Sequence, residues 1–140
     1  MKVDIQKLIR KNILNLEPYS SARDEFKGEN GIFLDANENP FGELNRYPDP
    51  YQSKVKQKLS EINQISTENI FLGNGSDEVI DLAFRIFCEP KKDKVLTFSP
   101  TYGMYKVSAN INDVELINLD LNDDFQINLE TLKPYLKDEN

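Results

Sequence analysis

The 140-residue chain carries 24 acidic against 17 basic residues and a formal net charge of −7, which disfavours a nucleic acid as partner because phosphate polymers are gripped by Lys/Arg surfaces. With no histidine and a single cysteine, Cys88, it excludes an intrachain disulfide, Ser-His or Cys-His catalysis within the chain, and a transition-metal site of the usual ligands. Small-molecule ligands and a reducing cytoplasm are the setting this composition fits.

The first ten residues place charges every few positions and have no continuous apolar stretch, so they resemble neither a secretory signal nor an anchor, and no run approaches the roughly 18 apolar residues of a membrane span. Val3, Ile5, Leu8, Ile9 and Asn12 to Leu14 make a rough helical stripe, followed by an extended arm from Glu17 to Ala22. Ile32 to Leu34 reads as a short strand. The polar stretch from Asp35 to Pro50, with Pro40, Gly42, Pro48 and Pro50, is a long loop. Tyr51, Val55, Leu59 and Ile62 recur at helical spacing and predict a helix over Pro50 to Ile62, with Lys54, Lys56 and Lys58 on its solvated face.

Ile70 to Leu72 is the next expected strand, followed by a glycine turn and a helix from Ser76 to Cys88 that is apolar around most of its circumference and therefore packed on several sides. Cys88 suits a structural thiol of that helix better than a reactive one. Lys94 to Phe98 predicts a strand, Ser99-Pro100 a helix start with Ser as N-cap and Pro at the first helical position, and Tyr102 and Tyr105 fall on that helix. Val114 to Leu119 is a further strand and Asn128 to Leu136 a final helix. This alternation predicts an α/β fold with a mainly parallel sheet and helical crossovers. The charged ending at 133–140, with no closing element, suggests a fragment of something larger.

In such a fold ligands gather at the carboxyl ends of strands, where both Gly73-Asn74-Gly75-Ser76-Asp77-Glu78 and Ser99 to Tyr102 fall. The first turn of a helix has unpaired N–H groups and the positive end of the peptide dipoles, so the glycine turn is a natural phosphate seat. It matches neither the dinucleotide nor the nucleoside-triphosphate glycine spacing, and the same residues equally suit an ordinary turn with Ser76 as N-cap. A phosphate seat beside an aromatic ring fits a molecule with phosphate at one end and a flat ring at the other, the shape of pyridoxal phosphate.

Five segments, LDANENPFG (Leu34 to Gly42), RYP (Arg46 to Pro48), GNGSDE (Gly73 to Glu78), FCEP (Phe87 to Pro90) and PTYGMY (Pro100 to Tyr105), closely resemble the amino-terminal part of histidinol-phosphate aminotransferases, fold-type I pyridoxal-phosphate enzymes of histidine biosynthesis. The arm Glu17 to Arg23 adds to the likeness. The resemblance implies an arm and part of the small domain over 1–45 and the first part of the large cofactor domain over 46–140. It implies that Gly75, Ser76 and Asp77 seat the cofactor phosphate through main-chain N–H groups, that Tyr102 stacks on the pyridine ring, and that Tyr47 reaches the phosphate across a homodimer. Tyr19 and Asn37 would line the substrate side. The Schiff-base lysine is expected beyond Asn140, so the chain shown would supply no catalytic residue and be inactive alone. The implied substrates are histidinol phosphate and glutamate or 2-oxoglutarate. A related aromatic-amino-acid aminotransferase and a non-catalytic phosphate-binding α/β module are the alternatives.

Overall fold

The computed structural model describes residues 3–28, 30–44 and 46–137, and the chain divides into two units, Met1–Leu16 with Gly73–Asn140 and Glu17–Leu72. Residue 45, where the expected domain boundary falls, and residues 138–140 of the charged ending lie outside the described residues. In chain order the elements are α1 (Lys11–Leu14), α2 (Ala22–Glu25), α3 (Ser53–Asn63), α4 (Gly75–Phe87), β1 (Lys94–Ser99), α5 (Met104–Ile111), β2 (Glu115–Asp120) and α6 (Leu129–Leu132). No helix among the described residues is long and apolar enough to cross a membrane.

The first unit is organised by the β1–α5–β2 crossover. β1 and β2 pair in parallel, with Lys94 opposite Glu115 and Ser99 opposite Asp120. Inside the ladder the buried Thr97 donates its hydroxyl to Asn118 Oδ1 at 3.1 Å, so the polar pair on this face satisfies itself. The core lies where α4 and α5 cover the strands: Phe84 (5% exposed), Ala109 (0%) and Val114 (5%) meet there, with Ile80, Cys88, Val95 and Leu116 packed around them. Ala109 brings the α5 backbone close, and Asn112 Nδ2 fastens the same helix to α4 by donating to Asp81 Oδ1 at 2.8 Å. The parallel α/β expectation holds for this part of the chain.

α1 is tied to the end of α4. Arg10 donates its backbone N–H to the Ile86 carbonyl at 2.9 Å and its guanidinium to the Arg85 carbonyl at 3.0 Å and Glu89 Oε2 at 3.1 Å. A cation on the last carbonyls of a helix is favourable there because it meets the negative end of the dipole. Beside it, burial pushes the Cys88 thiol above its ordinary value, and the Asp93 carboxylate acts in the same sense. Cys88 is therefore expected to react more slowly with a thiol reagent at pH 8 than free cysteine. A rate equal to that of free cysteine in a native sample would contradict the structural assignment.

Several expected elements are corrected. Ile32 to Leu34 and Ile70 to Leu72 are not strands: both lie outside any ladder among the described residues, and a strand exists only with a neighbour to receive its N–H and C=O groups. The amino-terminal stripe is a 3-10 turn at Ile5–Lys7 followed by the single turn α1, and the arm beyond it contains α2, opened by a capping box in which Ser21 and Asp24 bond each other reciprocally. The last helix is split into α6 and a 3-10 turn at Tyr135–Lys137, because Pro134 has no N–H to continue the helical ladder.

Ser99-Pro100 is not a helix start. Ser99 is the last residue of β1, its carbonyl accepting from Leu121 N–H at 2.9 Å, and α5 begins four residues after Pro100, at Met104, with Gly103 as N-cap. Tyr102 therefore sits in the connecting loop and only Tyr105 is helical.

In the second unit, α3 forms over the expected segment but starts at Ser53, after Gln52 in the left-handed region. Asp49 receives the N–H of Ser53 at 2.8 Å and of Tyr51 at 2.9 Å, closing the entry to the helix. Its apolar positions Val55 and Ile62, and Tyr51 just before it, remain more than half exposed.

Candidate functional site

The predicted phosphate seat is the first turn of α4. Gly75 has φ +79° and opens the helix directly after Asn74, the N-cap, so Ser76 is a helical residue and not the cap. The positive φ requires glycine here, and a Cβ built at Gly75 would meet nothing within 4 Å, so the backbone faces open space. The amides of Gly75, Ser76 and Asp77 belong to the turn that lacks intrahelical acceptors, at the positive end of a helix of 13 residues. The Glu78 carboxylate turns back onto the Asn74 backbone N–H and Asn74 Nδ2, which closes off the outer edge of the turn and leaves the amides of residues 75–77 as its donors.

Tyr102 comes to this turn from the β1–α5 loop. Its hydroxyl donates to Asp77 Oδ1 at 3.0 Å, and the bond to that carboxylate holds the Tyr102 hydroxyl above its ordinary value, so the phenol is a donor throughout the neutral range. Its ring packs edge-on against Tyr105 at 6.5 Å between centroids with an interplanar angle of 86°, which stiffens it while 54% of the residue stays exposed. The structure thus joins the two loops through this bond, although, among the described residues, the glycine turn follows no strand because Ile70 to Leu72 has no ladder partner. The Asp77 carboxylate is the link that sequence reasoning missed: Asp77 was expected to act through its backbone alone.

The remaining predicted residues belong to the second unit. Tyr19 and Asn37 are exposed there. Tyr47 is 62% exposed, and its backbone N–H donates to Glu38 Oε1 at 3.0 Å. Among the described residues no group of three His, Cys, Asp or Glu side chains is placed to hold a metal ion.

The donors at 75–77 and the ring of Tyr102 suit a cofactor that is anionic at one end and planar at the other: neutral amides for the anion, an aromatic face for the ring, and no side chain at Gly75 to keep them apart. The Aminotransferase class I and II family matches residues 21–140, so the chain belongs to that pyridoxal-phosphate-dependent family. Within it, the chain is 59% identical over 132 residues to the histidinol-phosphate aminotransferase of Christiangramia forsetii, covering 92% of this chain and 38% of that protein. It is 51% identical over 142 residues to that of Cytophaga hutchinsonii (98% and 41%) and 56% identical over 130 residues to that of Bacteroides thetaiotaomicron (91% and 38%). The chain thus spans about two-fifths of the length of these curated relatives.

Proposed function

We propose that this chain is the cofactor-seating part of a histidinol-phosphate aminotransferase, an enzyme that moves an amino group between L-histidinol phosphate and 2-oxoglutarate. The observation that carries the reading is the Tyr102–Asp77 hydrogen bond, because it brings a half-exposed aromatic ring to the amide-bearing turn of α4. Identity of 51% to 59% with proteins of that name supports the substrate. Pyridoxal phosphate, when bound, supplies the electron sink that lets a proton leave the carbon bearing the amino group.

The residues of this chain bind and orient. The amides of Gly75, Ser76 and Asp77 receive the phosphate, with helix-dipole assistance that needs no cation at that point. Tyr102 covers one face of the ring, and Asp77 and Tyr105 limit its rotation. Tyr47 reaches the phosphate of the neighbouring subunit's cofactor in a homodimer, a neutral donor added to the amides. Tyr19 and Asn37 approach the substrate. The lysine that bonds the cofactor is carried by a part of the enzyme outside these 140 residues, so the isolated chain is inactive, and the enzyme works in the cytoplasm.

The complete gene product, mixed with pyridoxal phosphate, is expected to develop a visible absorbance band that shifts on adding histidinol phosphate, with 2-oxoglutarate restoring it. A strong preference for an unphosphorylated aromatic amino acid would overturn the substrate assignment. No band at all would overturn the cofactor assignment.

A further inference from the structure

Within the long loop of the second unit, one carboxylate is buried among exposed neighbours. The Glu38 side chain is 6% exposed and uses both oxygens: Oε1 accepts the Tyr47 backbone N–H at 3.0 Å, and Oε2 pairs with Arg46 Nη1 at 2.7 Å. Arg23 Nη1 stands 3.8 Å from Oε1, and the same guanidinium grips Asp35 with contacts of 3.1 Å and 2.6 Å while lying 4.6 Å over the Phe33 ring. Two carboxylates thus meet two guanidiniums, a balanced cluster built around one backbone amide.

The segment being held has no helix or strand of its own: among the described residues, 35–50 are turns, bends and irregular backbone. Its conformation therefore depends on side-chain acceptors in place of a ladder. Among the described residues, the backbone N–H that Glu38 receives is that of Tyr47, whose side chain is not packed away, the residue staying more than half exposed. A carboxylate that fixes the backbone of an exposed tyrosine presents that ring without burying it.

We propose that Glu38 is a positioning residue for Tyr47: its carboxylate sets the Arg46-Tyr47 backbone so that the tyrosine hydroxyl is presented to the cofactor phosphate. This rests on the reading of Tyr47 given under the proposed function. The Tyr47 amide and then the Arg46 guanidinium hold the Glu38 carboxyl below its ordinary value of 4.5. The charged form of the clamp is therefore complete above that value, and its ion pair with Arg46 is lost as pH falls through the depressed one, while an oxygen remains to accept the Tyr47 amide.

The test uses the complete gene product and pyridoxal phosphate itself, with amide hydrogen exchange at Tyr47 as a second readout. Glu38→Ala is expected to speed exchange at the Tyr47 amide and to weaken cofactor binding about tenfold. Glu38→Gln keeps an oxygen for that amide and is expected to retain affinity within about threefold. Tyr47→Phe alone is expected to weaken binding, and adding Glu38→Ala to it is expected to cost less than about twofold more, because the carboxylate acts through the lost hydroxyl. Full multiplication of the two losses would overturn the inference by showing that Glu38 acts independently. So would wild-type exchange at Tyr47 in Glu38→Ala. If Tyr47→Phe binds with wild-type affinity, the reading of Tyr47 fails and this inference with it, while the exchange data still report whether Glu38 holds the backbone. Should Glu38→Ala not fold, Arg46→Ala removes an exposed side chain of the same cluster and is expected to loosen the same amide; unchanged exchange there would count against the clamp.

Discussion

Replacing Phe84 by alanine is expected to destabilise the complete protein by about 3–5 kcal/mol, the usual cost of emptying an aromatic site in a core that cannot collapse around it. Collapse is hindered here because the ring is held from several elements at once: Ala109 from α5, Val114 from the approach to β2, Ile80 from its own helix, Cys88 from the residue that caps it, Val95 and Leu116 from the two strands. Ala109 has no side-chain length with which to fill the gap, and the β1–β2 ladder fixes the strands beneath. The measurement is the midpoint of urea unfolding followed by far-UV circular dichroism, with amide exchange of α4, α5, β1 and β2 to localise the loss. An unchanged midpoint would mean that Phe84 is not the centre of this core. The functional consequence follows from position: Phe84 lies in the helix whose other end is the proposed phosphate seat, so on that proposal loosening it should also weaken retention of pyridoxal phosphate.

Tyr102→Ala in the complete enzyme is expected to weaken pyridoxal-phosphate binding by about tenfold to a hundredfold. Aromatic stacking on a heterocyclic ring is worth about 1–3 kcal/mol, and each 1.4 kcal/mol is a factor of ten. Tyr102→Phe separates the contributions, since it keeps the ring and loses only the donation to Asp77. A loss of a few-fold is expected for it, because the Tyr105 ring still packs against the edge of the side chain. Wild-type affinity in both variants would remove Tyr102 from the site. The pH dependence has a definite sign. Asp77 raises the tyrosine above its ordinary value of 10, so the bond is complete below that value and is lost as pH rises through the raised one. Asp77→Asn is expected to bring the phenolate transition, read near 295 nm, back toward 10, with cofactor binding through the residue 77 amide retained.

How much of this could be read from the chain depends on whether the feature is local. The helix that became α4, both strands of the parallel pair and their alternation with α5 follow from hydrophobic periodicity, because burial on one face needs only the right spacing within a few turns. The glycine turn was legible for the same reason, since the positive φ of Gly75 and the donors of a first helical turn are properties of adjacent residues. The exact start of α5 was not. Ser99-Pro100 satisfies the rules for a helix N-terminus, but the ladder opposite Asp120 and the contact with Leu121 claimed Ser99 for the sheet. Likewise the extended dihedrals of Ile70 meet a strand's local requirement, yet no ladder forms there among the described residues.

By itself, then, the order of residues determined the elements of the α/β unit, the glycine turn with its unpaired first-turn amides and, through its motifs, the family. Tertiary structure alone decided that Tyr102 bonds Asp77, twenty-five positions away, and that Glu38 takes both the amide of Tyr47 and the guanidinium of Arg46. The reason is physical: a carboxylate carries no periodicity, and which donor reaches it depends on where folding delivers loops that are distant or irregular in sequence.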